Sequence, residues 1–102
     1  MTGAPDTDDR LLLLAPDDNV LVAREAIGAG EEILVTGRQV RIAGRVGLGH
    51  KIARRPIPTG GKAVKYGAPI GSATVDIAVG DHVHVHNLKS DYTPTYFLDE
   101  AQ

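Results

Sequence analysis

Three of the four histidines in this chain fall within five residues, at alternate positions of the stretch GDHVHVHNLKS: His82, His84 and His86. Imidazole titrates near neutrality, so it suits proton transfer as well as metal ligation. In a regular strand successive side chains point to opposite faces. Read as a strand from His82 to Leu88, the alternation predicts His82, His84 and His86 on one face. Val83, Val85 and Asn87 then share the other, with the valines facing the core. The histidines would face water, a cleft or another subunit. A rise of about 3.3 Å per residue puts His82 and His86 roughly 13 Å apart, whereas a metal–imidazole bond is about 2 Å. A regular strand therefore lets one His-x-His pair converge on an ion, but not all three. Further ligands would come from elsewhere, with His50, Asp76 and Asp81 as the candidates within the chain. Three readings stay open at this point: exposed histidines on a polar strand face, metal ligation by two of them, and acid/base or substrate-binding roles.

Two further stretches carry reactive or charged side chains. In GLGHKIARRPI (residues 47–57), His50 and Lys51 follow a Gly-x-Gly turn that can bring backbone amides close to a ligand. Lys51, Arg54 and Arg55 supply positive charge suited to a carboxylate or phosphate. The competing reading is an edge strand whose cations discourage aggregation. GLG is not a dinucleotide fingerprint, because neither the third glycine nor a strand–turn–helix context accompanies it. In KAVKYGAPIGSATVDI (residues 62–77), Tyr66 reads as core or interface packing. Lys65 reads as a solvated strand residue, with anion binding as the rival. No Ser-His-Asp order, paired glutamates or phosphate loop stands out. A complete enzyme built from this chain alone would be unusual.

Composition narrows the classes. One domain suits 102 residues. Without cysteine there is no disulfide, thiolate nucleophile or Cys-zinc site. A net charge of −2, no basic run and only one Phe and three Tyr argue against a nucleic-acid partner. The apolar run LLLLA (residues 11–15) is too short to span a bilayer. It follows the acidic APDTDDR rather than a basic segment, so it does not read as a secretory signal. The cytoplasm is the expected location.

The elements that must position these residues read as β structure. Twelve Gly and six Pro interrupt the chain every few residues, and no long segment keeps a clean helical period. Expected strands are residues 10–15, 19–23, 32–36, 39–43, 51–57, 63–65, 72–75 and 82–88, forming a small all-β barrel or sandwich. A turn pattern recurs in IGAGEEI (27–33), IPTGGKAV (57–64) and IAVGDHV (77–83): an apolar residue, a glycine three positions on, then a new strand. Its spacing is too irregular for a solenoid. Residues 1–9 are expected to be a mobile acidic tail, 10–89 the domain and 90–102 a C-terminal arm. Tyr92, Tyr96, Phe97 and Leu98 make that arm apolar enough to dock on the chain's own core or on a partner, including a second copy.

GHKIA (49–53), KYGAPIG (65–71) and GDHVHVHN (80–87), in that order, strongly resemble the SAF domain of altronate and galactarate dehydratases. DDNVLVA (17–23) and AIGAGEEI (26–33) are similar to its first strands. The small subunit of sulfolactate sulfo-lyase is a related, separately encoded case. The resemblance implies a β-clip fold of short twisted strands. It implies a hydro-lyase acting on a sugar acid or related hydroxy acid, with a divalent metal, commonly iron(II), held mainly with or by a large catalytic subunit. Since the sequence stops soon after the domain, it implies the small subunit of a split dehydratase, inactive alone. On this resemblance His84 and His86 are the expected metal or acid/base residues. His50 and Lys51 face the substrate, Lys65, Asn87 and Lys89 bind it, and Asn87 supplies an orienting hydrogen bond. His82 is the expected spare. The alternative is a non-catalytic SAF module that binds a sugar acid, a metal or a protein partner, since fold alone does not decide function.

Overall fold

Segments this short between glycines cannot complete helices, and in the computed structural model they form nine strands instead. The structure describes residues 6–91, and no helix occurs among them. The strands are β1 (Leu11–Leu12), β2 (Val20–Ala23), β3 (Glu32–Val35), β4 (Arg38–Arg41), β5 (Lys51–Ala53), β6 (Lys62–Lys65), β7 (Ala68–Ala73), β8 (His82–Val83) and β9 (Leu88–Lys89). They make three antiparallel sheets, ordered β1-β2-β5-β8, β3-β4 and β6-β7-β9. The all-β expectation holds.

The recurring turn marks an internal duplication. Each half runs from a strand of the central sheet (β2 or β5) through an Ile-x-x-Gly turn into a hairpin (β3–β4 or β6–β7). It then reaches a second apolar-x-x-Gly turn. The two turns of each half face one another through a two-way backbone bridge, Ile27 with Val46 and Ile57 with Ile77. Equivalent positions lie thirty residues apart: Ala23 and Ala53, Ile27 and Ile57, Ile33 and Ala63 are all buried. The hairpin tips match as well. Thr36-Gly37 and Tyr66-Gly67 have positive φ at both residues, the conformation that tight hairpin turns prefer. Tyr66 is therefore an exposed turn residue, 69% accessible, rather than core packing. Its backbone N–H and that of Gly67 donate to the carboxylate of the fully buried Asp18, which also accepts from Ala15 N–H.

Two core clusters follow from the duplication, one under each half. The central sheet separates them, because its strands alternate faces. Leu21 and Ile52 pack with Leu11, Ile27, Val35 and Val46. Val20 and Ala53 pack with Ile57, Ala63, Ile77 and Val83. A sheet buried on both faces explains why its short strands read as continuous apolar runs.

Several expected spans are shortened. The strand expected over 51–57 stops at Ala53, since Arg54, Arg55 and Pro56 turn away. The strand expected over 72–75 is the end of β7. The single strand expected over 82–88 is two: β8 ends at Val83, residues 84–87 turn, and β9 joins a different sheet. Residues 6–9, expected in the mobile tail, lie against the first hairpin. Asp6 accepts from Gly37 N–H, Asp8 N–H donates to Leu34, and Thr7 is buried. Of the expected arm only Ser90 and Asp91 are described; Tyr92, Tyr96, Phe97 and Leu98 lie outside the described residues. No helix among those described is long and apolar enough to cross a membrane.

The turn that launches β8 depends on Gly80. Its φ is 87°, its N–H donates to Ala53, and a Cβ there would collide with the Val40 side chain. Gly80→Ala is expected to lower stability by about 2–4 kcal/mol through a left-handed backbone plus overpacking. Gly44→Ala, where an added Cβ meets nothing within 4 Å, is expected to change it by less than about 0.5 kcal/mol. Urea unfolding of both variants measures the contrast.

Candidate functional site

Asn87 ends the histidine strand. Its side chain is almost fully buried, with 5% accessible. Its Oδ1 accepts from His84 N–H at 3.0 Å and its Nδ2 donates to the His82 carbonyl at 2.8 Å. Its own N–H donates to the His84 carbonyl. These three bonds close the chain into a turn directly after Val83. The His84 ring then folds back over His82, nearly parallel (5°) with centroids 5.4 Å apart.

The neighbouring strand delivers the third ring. β5 and β8 pair with Lys51 opposite Val83 and Ile52 opposite His82. The turn at Gly47–His50 thus lies at the same end of the sheet as the turn after β8. Positive φ at Gly49 lets this turn close, and its N–H donates to Ala23. His50 Nδ1 sits 2.9 Å from His82 Nε2, and its ring lies 5.1 Å from that of His84. One ring nitrogen from each of His50, His82 and His84 lies within 4.8 Å of the others. His86 stays beside this group, 5.8 Å from His82 between centroids.

One His-x-His pair with His50 added is the grouping that strand spacing allows, but the pair is His82 and His84 rather than the expected His84 and His86. His82, the expected spare, is central, and His50 joins it. The expected pair His84 and His86 is split between the cluster and its edge. Val85 is 82% accessible rather than buried, while Val83 is fully buried. The physical reason is the turn: alternation stops where the Asn87 amide captures the backbone. Asn87 does lie inward, but its polar side chain is committed to that turn.

The surroundings of His82 favour its neutral ring. Burial holds the His82 imidazole below its ordinary range, and His50, His84, His86 and Lys51 push the same way. The close His50–His82 contact needs one ring to donate and the other to accept, so at least one is neutral. Lys51, half-buried, is also lowered, first by burial and then by Lys65. The acidic candidates are engaged elsewhere: Asp81 accepts from Ala78 N–H, and Asp76 from the N–H and hydroxyl of Thr59. Arg54 and Arg55 donate to the carbonyls of Pro16, Asp17 and Asp18, so they fasten that loop rather than face an anion.

Two depressions flank the cluster. One, of about 320 Å³, is bordered by His82, His86, Asp81 and Arg41. The other, of about 530 Å³, is bordered by His84, Lys51, Thr74 and Lys89 over Ile70 and Leu88. Lys65 is half-buried on β6 and does not border either. The sequence names His50 as a further ligand for one His-x-His pair, and the structure brings it to His82 and His84; a second signal for that convergence was also present. VGLGHKI (46–52) is a fourth copy of the turn pattern and aligns with IAVGDHV (77–83), making β5 and β8 equivalent strands. Valine in place of isoleucine, and histidine in place of the acid, disguise it.

Comparison with known proteins follows the same residues. The family model of the altronate/galactarate dehydratase SAF domain matches residues 9–91. Altronate dehydratase of Bacillus subtilis is 40% identical over 87 residues, covering 78% of this chain and 18% of that protein. Altronate dehydratase of Escherichia coli is 43% identical over 74 residues, covering 72% of this chain and 15% of that protein. The chain thus spans less than a fifth of the length of either dehydratase. (2R)-sulfolactate sulfo-lyase subunit alpha of Chromohalobacter salexigens is 34% identical over 83 residues, covering 72% of this chain and 86% of that subunit.

The direction of the His82 shift fixes a pH dependence. Between its lowered folded midpoint and the ordinary value of 6.5, the unfolded chain binds more protons at this ring than the folded one does, so stability rises with pH there. The contribution is complete above about pH 6.5 and is lost as pH falls below it, levelling once the folded ring protonates. Urea unfolding of the metal-free chain is expected to give a lower free energy at pH 5.5 than at pH 7.5, and His82→Gln to flatten that difference.

Proposed function

The chain belongs to the SAF-domain family of the altronate and galactarate dehydratases, and from that premise we propose that it is the small part of a hydroxy-acid lyase whose active site is completed by a large catalytic chain. The observation that carries the proposal is the convergence of His50, His82 and His84 on an open face. Among the described residues no carboxylate or nucleophile joins them. Such a face has half the groups an elimination needs. The relative named sulfo-lyase subunit alpha supports the division of labour, since this chain covers 86% of it. Leu48 and Val85, 70% and 82% accessible, stand in the two turns that carry His50 and His84. Apolar side chains at that rim suit burial under the large chain. The proposal makes the assembly a cytoplasmic one.

The reaction is a β-elimination beside an acid group. A base removes the proton α to the carboxylate, and the β-hydroxyl departs as water after accepting a proton. The enol that remains tautomerises to a 2-keto-3-deoxy acid. A divalent ion, iron(II) by family resemblance, would be held on this chain by His50, His82 and His84. The donor set fits, because neutral imidazoles are suitable ligands for iron(II) and zinc. Bound there, the ion would supply Lewis-acid stabilisation of the oxyanion that develops in elimination. The remaining work falls to side chains: His86, at the cluster's edge, to move a proton, and Asn87 to keep His82 and His84 in place.

Reconstitution tests this reading. The chain is mixed with the large dehydratase-like chain of the same genome, iron(II) and altronate, and product formation and co-elution are measured. Activity is expected only with both chains. His84→Ala is expected to lower kcat by at least about 100-fold while co-elution persists. Full activity of the large chain alone, or no co-elution, favours a non-catalytic SAF module instead.

A further inference from the structure

The larger depression beside the histidines has an electrostatic imbalance. Lys51 is half-buried on its wall, and a second ammonium, that of Lys89, borders the same depression. Among the described residues no carboxylate forms an ion pair with Lys51, Lys65 or Lys89. Asp91, two residues after Lys89, is already held by Lys62 and the Ser72 hydroxyl. Taking an ammonium out of water beside a second one, with no counter-charge, costs free energy unless a bound anion offsets it. By contrast, the partly buried Arg10 contacts both Asp8 and Glu31. Lys51 has no such partner, and it borders a depression that opens next to His84.

We infer that this depression is an oxyanion subsite that holds the acid group of the substrate, with the Lys51 ammonium as its anchor and Thr74 and Lys89 on its rim. Ile70 and Leu88 form an apolar wall that excludes water from the ion pair and so strengthens it. His84 borders the depression and also belongs to the three-ring cluster. An acid group held by Lys51 therefore has its adjacent carbon next to the histidines, where an α-proton would be removed. Lys51 binds and orients; it holds the developing negative charge of the acid group as the proton leaves. The inference rests on the lyase reading only for the identity of the acid. The chemistry recognised is an oxyanion, which a carboxylate or a sulfonate can supply.

The test needs only the chain itself. Lysine side-chain NMR signals are followed while altronate, isethionate (a sulfonate) and altritol (the uncharged polyol) are added in turn. A saturable shift of the Lys51 signals with altronate or isethionate is expected, whichever binds more tightly naming the preferred acid group. Altritol is expected to have no effect. Lys51→Met is expected to weaken binding at least tenfold, and Lys51→Arg to retain it within about threefold. Equal shifts with altritol, no shift with either anion, or undiminished binding by a folded Lys51→Met variant overturns the inference. Should Lys51→Met fail to fold, the three wild-type titrations still decide. Loss of anion binding with reconstituted lyase activity intact would remove this subsite alone, whereas anion binding without any partner or activity would remove the lyase reading alone.

Discussion

The side chain of Asn87 is the constraint on which the candidate site depends. A buried amide must satisfy its donor and acceptor, and this one does so on the backbone of the residues it organises. By taking the His82 carbonyl and the His84 N–H, it stops β8 after two residues and forces a turn. Without that turn His84 would continue along the strand, about 6.6 Å beyond His82 at the backbone, and its ring would point out beside it. With the turn, two rings stack and a third, from the turn that precedes β5, closes the group. A polar residue at a core position thereby determines the geometry of an exposed cluster.

The duplication supplies the rest of the placement. Each half carries a strand of the central sheet, and the sheet is buried on both faces by one core cluster apiece. β5 and β8 follow equivalent glycine turns at Gly49 and Gly80, so their leading residues emerge at related positions. Antiparallel pairing of these two strands then brings the His50 turn and the turn after Val83 to one end. A repeated structural device thus yields an asymmetric product, because His50 occupies the place that Asp81 holds in the second copy. The cations are sorted by the same frame. Arg54 and Arg55, just past β5, reach back to the carbonyls around Asp18, while Lys51, just before its centre, faces the open depression.

Much of the architecture was legible because it rests on local chemistry. Glycine at positive φ, alternating buried residues and the absence of any long helical period all point to short strands. The family was legible from GHKIA, KYGAPIG and GDHVHVHN. The four histidines were legible as the chemistry-bearing side chains, but which of them meet was not. Strand alternation was extended through Val85 and His86, since nothing in HVHVHN by itself marks where pairing ends. That boundary is set by a side-chain-to-backbone bond of Asn87 and by β9 joining another sheet, both of which are tertiary facts. Likewise the Arg pair read as either an anion site or the cations of an edge strand, and only the position of the 16–18 loop reveals its carbonyl partners.

The account stands on three particular rings meeting at one point, and cobalt(II) reports that directly. Added to the histidine-labelled chain, the paramagnetic ion is expected to broaden and shift the ring nitrogens of His50, His82 and His84 together, with a weaker effect on His86. A joint response of His84 and His86 with His50 unaffected would contradict it, and would restore the extended strand that the Asn87 turn replaces.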